Sequence, residues 1–273
     1  MMCLNKFDLK FIYLFINITM DSNSTLRKIC QSRINLKKYL SDEWHTSEIK
    51  DYSDKEIEKI YKSSQHVKNG IQFGAASGCN ITLYHKSIPS HRLHIIYYNF
   101  PEIGRPSVKI NKQCAEKLNK LYEEKIISPE DSLIVILLNQ VPENLQKSVD
   151  KLYDIGQEEF IKHNISDEIH AENEKLNENK YTNYHFKNIH VYHLDTLSID
   201  ILQHSKVPKH EIIRKQPDIN KICEKCNCRP DQLPVIHRSD AIGKRLRIAP
   251  GDICKITRIT TTAGETDYYR ICK

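Results

Sequence analysis

Leu133-Ile134-Val135-Ile136-Leu137-Leu138 is an unbroken apolar run, half of it β-branched. A half-exposed strand would alternate polar with apolar, so this run predicts a strand buried on both faces. Its surroundings agree. Leu93-His-Ile-Ile-Tyr-Tyr98 reads as a strand upstream and Ile189-His-Val-Tyr-His193 as another downstream. Between them, residues 111–125 place Cys114, Leu118, Leu121 and Tyr122 along one helical face, and 143–163 is helical again. Strand, helix, strand, helix, strand predicts a layered α/β unit.

Working outward, residues 25–40 carry Leu26, Ile29, Ile34 and Leu36 at helical spacing, with Ser24 or Thr25 as the cap. Residues 53–63 repeat the style with Ile57, Ile60 and Tyr61. Glycines 70, 74 and 78 follow; with no Gly-Lys-Ser/Thr after them, they predict a turn or short hairpin rather than a phosphate loop. Residues 165–180 are rich in Asn and Glu and read as a surface insertion. At the start, Phe11 to Ile18 is apolar but too short to span a bilayer, and no small-residue cleavage site follows. Methionines stand only at 1, 2 and 20, and a polar helix start follows Met20. Residues 1–19 are therefore expected to be an extension upstream of the authentic initiator, which the intact mass of the native protein tests.

The chain has 273 residues, 39% hydrophobic and 28% charged, which excludes a mostly disordered or collagen-like protein. Its net charge of +6 is unevenly spread: residues 206–273 hold 15 basic and 8 acidic residues, while the remainder is nearly neutral. Two parts with different partners are expected, the first from 20 to 203 and the second from 204 to 273. Nine cysteines, an odd number without a repeating framework, point to a reducing compartment. In the second part, 219–228 and 241–246 predict short helices and 233–236 an extended piece. Residues 253–260 and 267–272 predict a hairpin whose turn Gly264 supplies.

Chemistry is hard to find. Cys223, Cys226 and Cys228 are the most metal-like cluster, but zinc needs a fourth ligand, from His210, His237 or a distant cysteine. The first two lie one turn apart on a helix, where one can simply face the core; the expectation is no metal. Histidine pairs 91/94 and 190/193 fall three apart on strands, so their side chains point to opposite faces. A nuclease site of the restriction type needs carboxylates at its strand ends to hold Mg²⁺, and 93–100 and 133–140 contain none. No catalytic residue and no cofactor are expected.

The C-terminal stretch resembles a known family. His204-Ser-Lys-Val-Pro-Lys-His210 is similar to the His-x-x-Val-Pro-Lys-His signature of the fifth subunit of eukaryotic-type DNA-directed RNA polymerases and its archaeal counterpart. Gln232-Leu-Pro-Val-Ile236 resembles the family's Gln-Leu-Pro-x-Ile. Residues 240–256 lie without a gap on its Asp-Pro-Ile/Val-Ala-Arg-Tyr-x-Gly-Leu-x-x-Gly-x-Val-Val-x-Ile, and Arg258, Thr262-Ala-Gly264 and Tyr269-Arg270 complete the match. The centre of the chain is similar more weakly.

The resemblance implies an α+β protein overall: an N-terminal α/β jaw domain with a nuclease-like fold and no nuclease chemistry, and a small C-terminal domain. That domain would anchor a non-catalytic subunit to the largest polymerase subunit, with the jaw beside downstream duplex DNA. Contacts to DNA would be through backbone phosphates, without sequence specificity. Carried over residue by residue, the docking set is Pro208, Lys209, His210, Pro234, Arg238, Asp240, Gly251, Arg258, Tyr269 and Arg270. The DNA-proximal loop is Gln140, Pro142 and Lys147. Each has a plainer reading: prolines and glycines shape turns, and a basic face is simply solvated. The sequence departs from the pattern at Ala241, at Gly243 and at Arg245-Leu-Arg247, which replaces an aromatic-Gly stretch. Divergence and an AT-rich style point to a large DNA virus as the source. The expected location is the nucleus or, for a virus, the cytoplasmic factory and virion. The rival classes are a free-standing DNA-binding regulator and a divergent nuclease.

Overall fold

The computed structural model describes residues 24–63, 67–68, 71–72, 76–98, 100, 113–163, 181–262 and 264–273. The expected extension at 1–19 and the insertion at 165–180 lie outside the described residues. Helices α1 (24–40) and α2 (Asp54–Ser63) lead to a short antiparallel hairpin, β1 (Val67–Lys68) with β2 (Ile71–Gln72), where the glycines predict a turn. Next come β3 (Ile81–Tyr84), β4 (Arg92–Tyr98), α3 (Gln113–Glu123), β5 (Ser132–Leu137), α4 (Glu143–His163), β6 (Ile189–His193) and the short α5 (Leu194–Ser198). The sheet order is β3-β4-β5-β6, with β4, β5 and β6 parallel and β3 antiparallel at the edge.

Every residue of β5 is buried, as its composition requires. Leu133, Val135 and Leu137 meet Leu118 and Leu121 of α3 and Leu145 and Val149 of α4. Ile134 and Ile136 point the other way, into a core with Leu26, Ile29 and Leu36 of α1 and Ile57 of α2. Helices thus cover both faces of the sheet, and each buried aliphatic side chain contributes roughly 1.5–3 kcal/mol.

Ile34 departs from the expected helical face and is 38% exposed. Polar neighbours on α1 are buried instead because backbone groups meet them: Arg33 donates to the Cys79 carbonyl at 3.1 Å and Asn35 to that of Leu197 at 2.8 Å. Strand β3 is not legible in the sequence. It is short, and its register against β4, with Leu83 opposite Leu93, defines it better than its own composition.

The second part contains β7 (Lys209–Ile213), α6 (Gln216–Cys226), β8 (Val235–Ile236), α7 (Ala241–Leu246), β9 (Ile253–Thr260) and β10 (Gly264–Cys272). Its sheet runs β7-β9-β10-β8, antiparallel except for β8, which lies parallel to β10. Helix α6 begins three residues before the expected 219, with Pro217 in its first turn, where a missing N–H costs nothing. Strand β10 begins at Gly264, whose φ of +64° supplies the turn as expected. Ile219 and Ile222 pack against Ile253 and Ile271 on one face of the sheet, and Ile248 packs against Cys254 and Ile256 on the other.

Asp240 caps α7, its carboxylate accepting from the Ile242 N–H at 2.9 Å and the Gly243 N–H at 3.2 Å. The helix ends on Arg247, which has left-handed backbone with φ 53°. Arg247 occupies the glycine position of the aligned family pattern.

Candidate functional site

The two parts meet along a buried polar seam. Arg238 places Nη1 on the Asn188 side chain at 3.0 Å and on the Ile189 carbonyl at 3.1 Å, and Nη2 on Asp150 at 2.8 Å. Its guanidinium lies 3.9 Å from the centre of the Tyr153 ring. Arg247 donates to the Asn188 carbonyl at 2.9 Å. Strand β6 is an edge of its sheet, so the Ile189 carbonyl has no ladder partner on that side and Arg238 meets it; the Asn188 carbonyl accepts from the Leu133 N–H of β5 at 3.3 Å and takes Arg247 as its second donor.

Asp252 is the second fastening. It accepts from His185 Nε2 at 3.0 Å, from Arg214 Nε at 3.0 Å and Nη2 at 3.1 Å, and from the Ala249 N–H at 2.9 Å. Burial pushes its carboxyl up, but the Arg214 guanidinium and His185 outweigh that and hold it at about 2. Arg214 also pairs with Glu43 and lies over the Tyr181 ring.

Beside it, His85 Nδ1 accepts from the Ser87 and Ile88 N–H groups, which leaves Nε2 to donate to the Tyr181 hydroxyl at 3.1 Å. Burial drives the His85 imidazole down to about 4, helped by His185 and Arg247. His91, stacked on His85, is likewise held well below the ordinary imidazole range by burial. Trp44 packs its ring against both histidines. The void among these side chains is only about 10 Å³, no room for a substrate. This histidine-rich cluster fastens the chain together.

Asp131 immediately precedes β5. It is fully buried and bound by Arg92, His94 and the Ser128 N–H. In open α/β sheets the ligand crevice lies at the opposite, carboxyl ends of the strands. There the structure places Gln140, exposed, and Pro142, half-buried, with Lys147 on the first turns of α4 in an exposed pair with Glu143 at 2.7 Å.

The residues expected to dock fall into two groups. Arg238 is only 8% exposed and its guanidinium is held inside the chain, whereas Asp240 is exposed, with one carboxylate oxygen, Oδ1, capping α7. Gly251, with φ +95°, makes the turn into β9, and the exposed Pro234 lends its carbonyl to the Ile271 N–H. On the outside lie Pro208, whose carbonyl accepts from His210 Nδ1 at 2.6 Å, and Lys209, paired with Glu211 at 2.5 Å. Arg258 is exposed over the Tyr268 ring, and Tyr269 lies half-buried beneath Lys225. Arg270 donates to the Val235 carbonyl at 3.1 Å and so holds β8 in place. Although Arg258 and Arg270 share a hairpin, their register partners are Thr266 and Cys254, about 13 Å apart along the ladder. They do not form one patch.

Of the cysteine cluster, Cys223 and Cys228 pack against the core beneath α6 while Cys226 faces solvent. Among the described residues no group of three or more His, Cys, Asp or Glu side chains is arranged to hold a metal ion. Nor is any helix among them long and apolar enough to cross a membrane. Sequence reasoning missed Arg214, His185, Arg247 and Asp252. The one available signal was Arg247 standing on a glycine position.

A small mixed sheet, flanked by α6 and α7, is thus clamped to an α/β sheet through a buried polar seam. Residues 199–272 match the family model described as RNA polymerase Rpb5, C-terminal domain. Over 67 residues the chain is 48% identical to DNA-directed RNA polymerase subunit Rpo5 of Nitrosopumilus maritimus, covering 24% of this chain and 80% of that relative. It is 42% identical over 71 residues to the Methanococcus maripaludis Rpo5, covering 26% and 90%. With the Sulfurisphaera tokodaii Rpo5 it shares 43% over 74 residues, covering 27% and 87%. The chain belongs to the Rpb5/Rpo5 family of DNA-directed RNA polymerase subunits.

Proposed function

We propose that the protein is a non-catalytic subunit of a multisubunit DNA-directed RNA polymerase. Its C-terminal part docks on the largest subunit, and its α/β part is a jaw beside downstream DNA. One observation carries the docking half: the archaeal relatives, named as polymerase subunits, are matched over 80–90% of their length by a stretch of only 67–71 residues. That supports placing the docking surface within that stretch. In this chain the counterpart of that stretch keeps β7 and the far half of the β9–β10 hairpin on the outside, while its opposite side is occupied by the seam.

The seam supports the jaw half. Arg238, Arg247 and Asp252 fix the α/β sheet to the anchoring part, so docking one orients the other. The carboxyl ends of the parallel strands, with Gln140, Pro142 and Lys147, are the end of the sheet that would face duplex DNA. Contact there would be electrostatic and weakened by salt. The location that goes with this function is the nucleus or, for a viral subunit, the cytoplasmic factory and virion.

The test is affinity purification of a tagged full chain from its native cell or virus. Stoichiometric recovery of the two largest polymerase subunits is the expected result. Recovery of the chain alone, with DNA binding or Mg²⁺-dependent cleavage in vitro, would overturn the proposal in favour of a regulator or a nuclease.

A further inference from the structure

We infer that the outer edge of β7 takes up an extended, acid-bearing segment of another polymerase subunit as an added strand. This rests on the subunit reading above and gives its docking a specific form. Strand β7 pairs with β9 on one side only, since the sheet order is β7-β9-β10-β8. Alternate residues of Lys209–Ile213 therefore turn their N–H and C=O groups outward, and among the described residues nothing meets them. Edges of this kind are commonly blunted by a proline or a bulge. Here Pro208 stops just short of the strand, and the one lysine, Lys209, is neutralised by Glu211.

Two grooves flank that edge. The first, of about 900 Å³, lies between the 205–209 segment and the outer half of the β9–β10 hairpin. The second, of about 620 Å³, lies between 212–215 and the turn at 39–44. Side chains of an added strand alternate between the two faces of the sheet, so they would enter the two grooves in turn while its main chain pairs with β7.

The groove walls say which side chains. In the first, four cations (Lys206, Lys209, Lys255 and Arg258) stand against three carboxylates (Glu211, Glu265 and Asp267), and with Lys209 and Lys255 paired to Glu211 and Asp267 one positive charge is left over. An Asp or Glu from the incoming strand completes that charge balance. The second groove is mixed, with Ile212 and Leu246 beside Asp42, Lys86 and Lys215, and does not select one kind of side chain. The occupant is thus an extended segment with a carboxylate on the face that enters the first groove.

Backbone amide hydrogen exchange on the full chain, free and within the purified polymerase, tests this. In the free chain the β7 amides should alternate between fast and slow. In the complex the fast set should slow on the order of 100-fold or more as it gains hydrogen bonds. The double variant Lys206→Glu, Arg258→Glu should be retained by the polymerase about tenfold less well, with an unchanged far-ultraviolet melting curve. Fast β7 amides in a complex that holds the subunit would overturn the added strand and leave the subunit reading standing. Failure to recover the chain with polymerase would overturn both.

Discussion

Arg238 Nη1 donates to the Ile189 carbonyl at 3.1 Å, across 49 residues of sequence. A side chain of the small C-terminal sheet thereby meets the open edge of the larger one. The family model matches residues 199–272, so Asp150, Asn188 and Ile189, the partners of that arginine, lie outside the match. The polar surface that joins the two sheets is specific to a chain that carries both.

Replacing Arg238 by Met should therefore uncouple the sheets. It leaves the Asn188 side chain and the Ile189 carbonyl buried without their donor and removes the cation from the Tyr153 ring. The expected loss is about 3 kcal/mol, read from the denaturant midpoint. Arg238→Lys should recover little, because an ammonium cannot span three acceptors in one plane. A midpoint unchanged in Arg238→Met would mean that the seam contributes nothing to stability.

Acid should open the seam in two stages. His85 is held at about 4 against its ordinary 6.5, so between those values the unfolded chain binds more protons and stability falls as pH is lowered. Protonation at Nδ1 also forfeits the bonds from Ser87 and Ile88. Asp252 is held at about 2 against 3.8; its contribution is complete above about pH 4 and is lost as pH falls through 2. From His85 alone the loss between pH 7 and 4 should be on the order of 3 kcal/mol. The variant His85→Asn keeps an acceptor at the δ position and should flatten that limb; equal slopes for the variant and the parent would count against it.

The sequence makes some of this plain and hides the rest for physical reasons. An apolar run such as 133–138 has one stable environment, so β5 can be placed from composition alone, and helix α4 appears with its expected bounds. Strand β7 is invisible there because an edge strand need not alternate: Lys-His-Glu-Ile-Ile is half-exposed on every side but one. Arg238 looks like a surface recognition residue because its partners, Asp150, Asn188 and Ile189, are far away in sequence. A buried arginine is readable only once the carbonyl it serves has been placed. Arg258 and Arg270, both in the docking set, stand opposite Thr266 and Cys254, a separation that single residues on paired strands do not reveal.

That register separates two charge reversals. Arg258→Glu changes an exposed side chain over Tyr268 and should leave folding stability within about 0.5 kcal/mol. Arg270→Glu loses the bond to the Val235 carbonyl and should cost about 1–2 kcal/mol. Thermal melts of the two single variants decide this. Equal destabilisation would mean that Arg270 does not hold β8.

Gly243 has left-over space for hydrogen only. A Cβ there would come within 2.7 Å of Ile248 Cδ1 and 3.1 Å of the His237 carbonyl oxygen. Ile248 is fully buried and cannot swing away freely. Gly243→Ala should cost about 1–2 kcal/mol despite alanine's better helix propensity. A stabilised variant would show that α7 shifts to accept the methyl group.

Arg247 offers the last discrimination. Its backbone is left-handed at φ 53°, a conformation that glycine adopts freely and that costs other residues about 1–2 kcal/mol. Here the strain is held by packing and by the bond to the Asn188 carbonyl, while burial lowers the guanidinium to about 10. Both Arg247→Ala and Arg247→Gly lose that bond equally, but only glycine relieves the backbone. Arg247→Gly should therefore be more stable than Arg247→Ala by about 1 kcal/mol, the reverse of the order expected inside a helix. Chemical denaturation of the pair measures it, and the ordinary order, with alanine ahead, would show that the α7 terminus is not left-handed in solution.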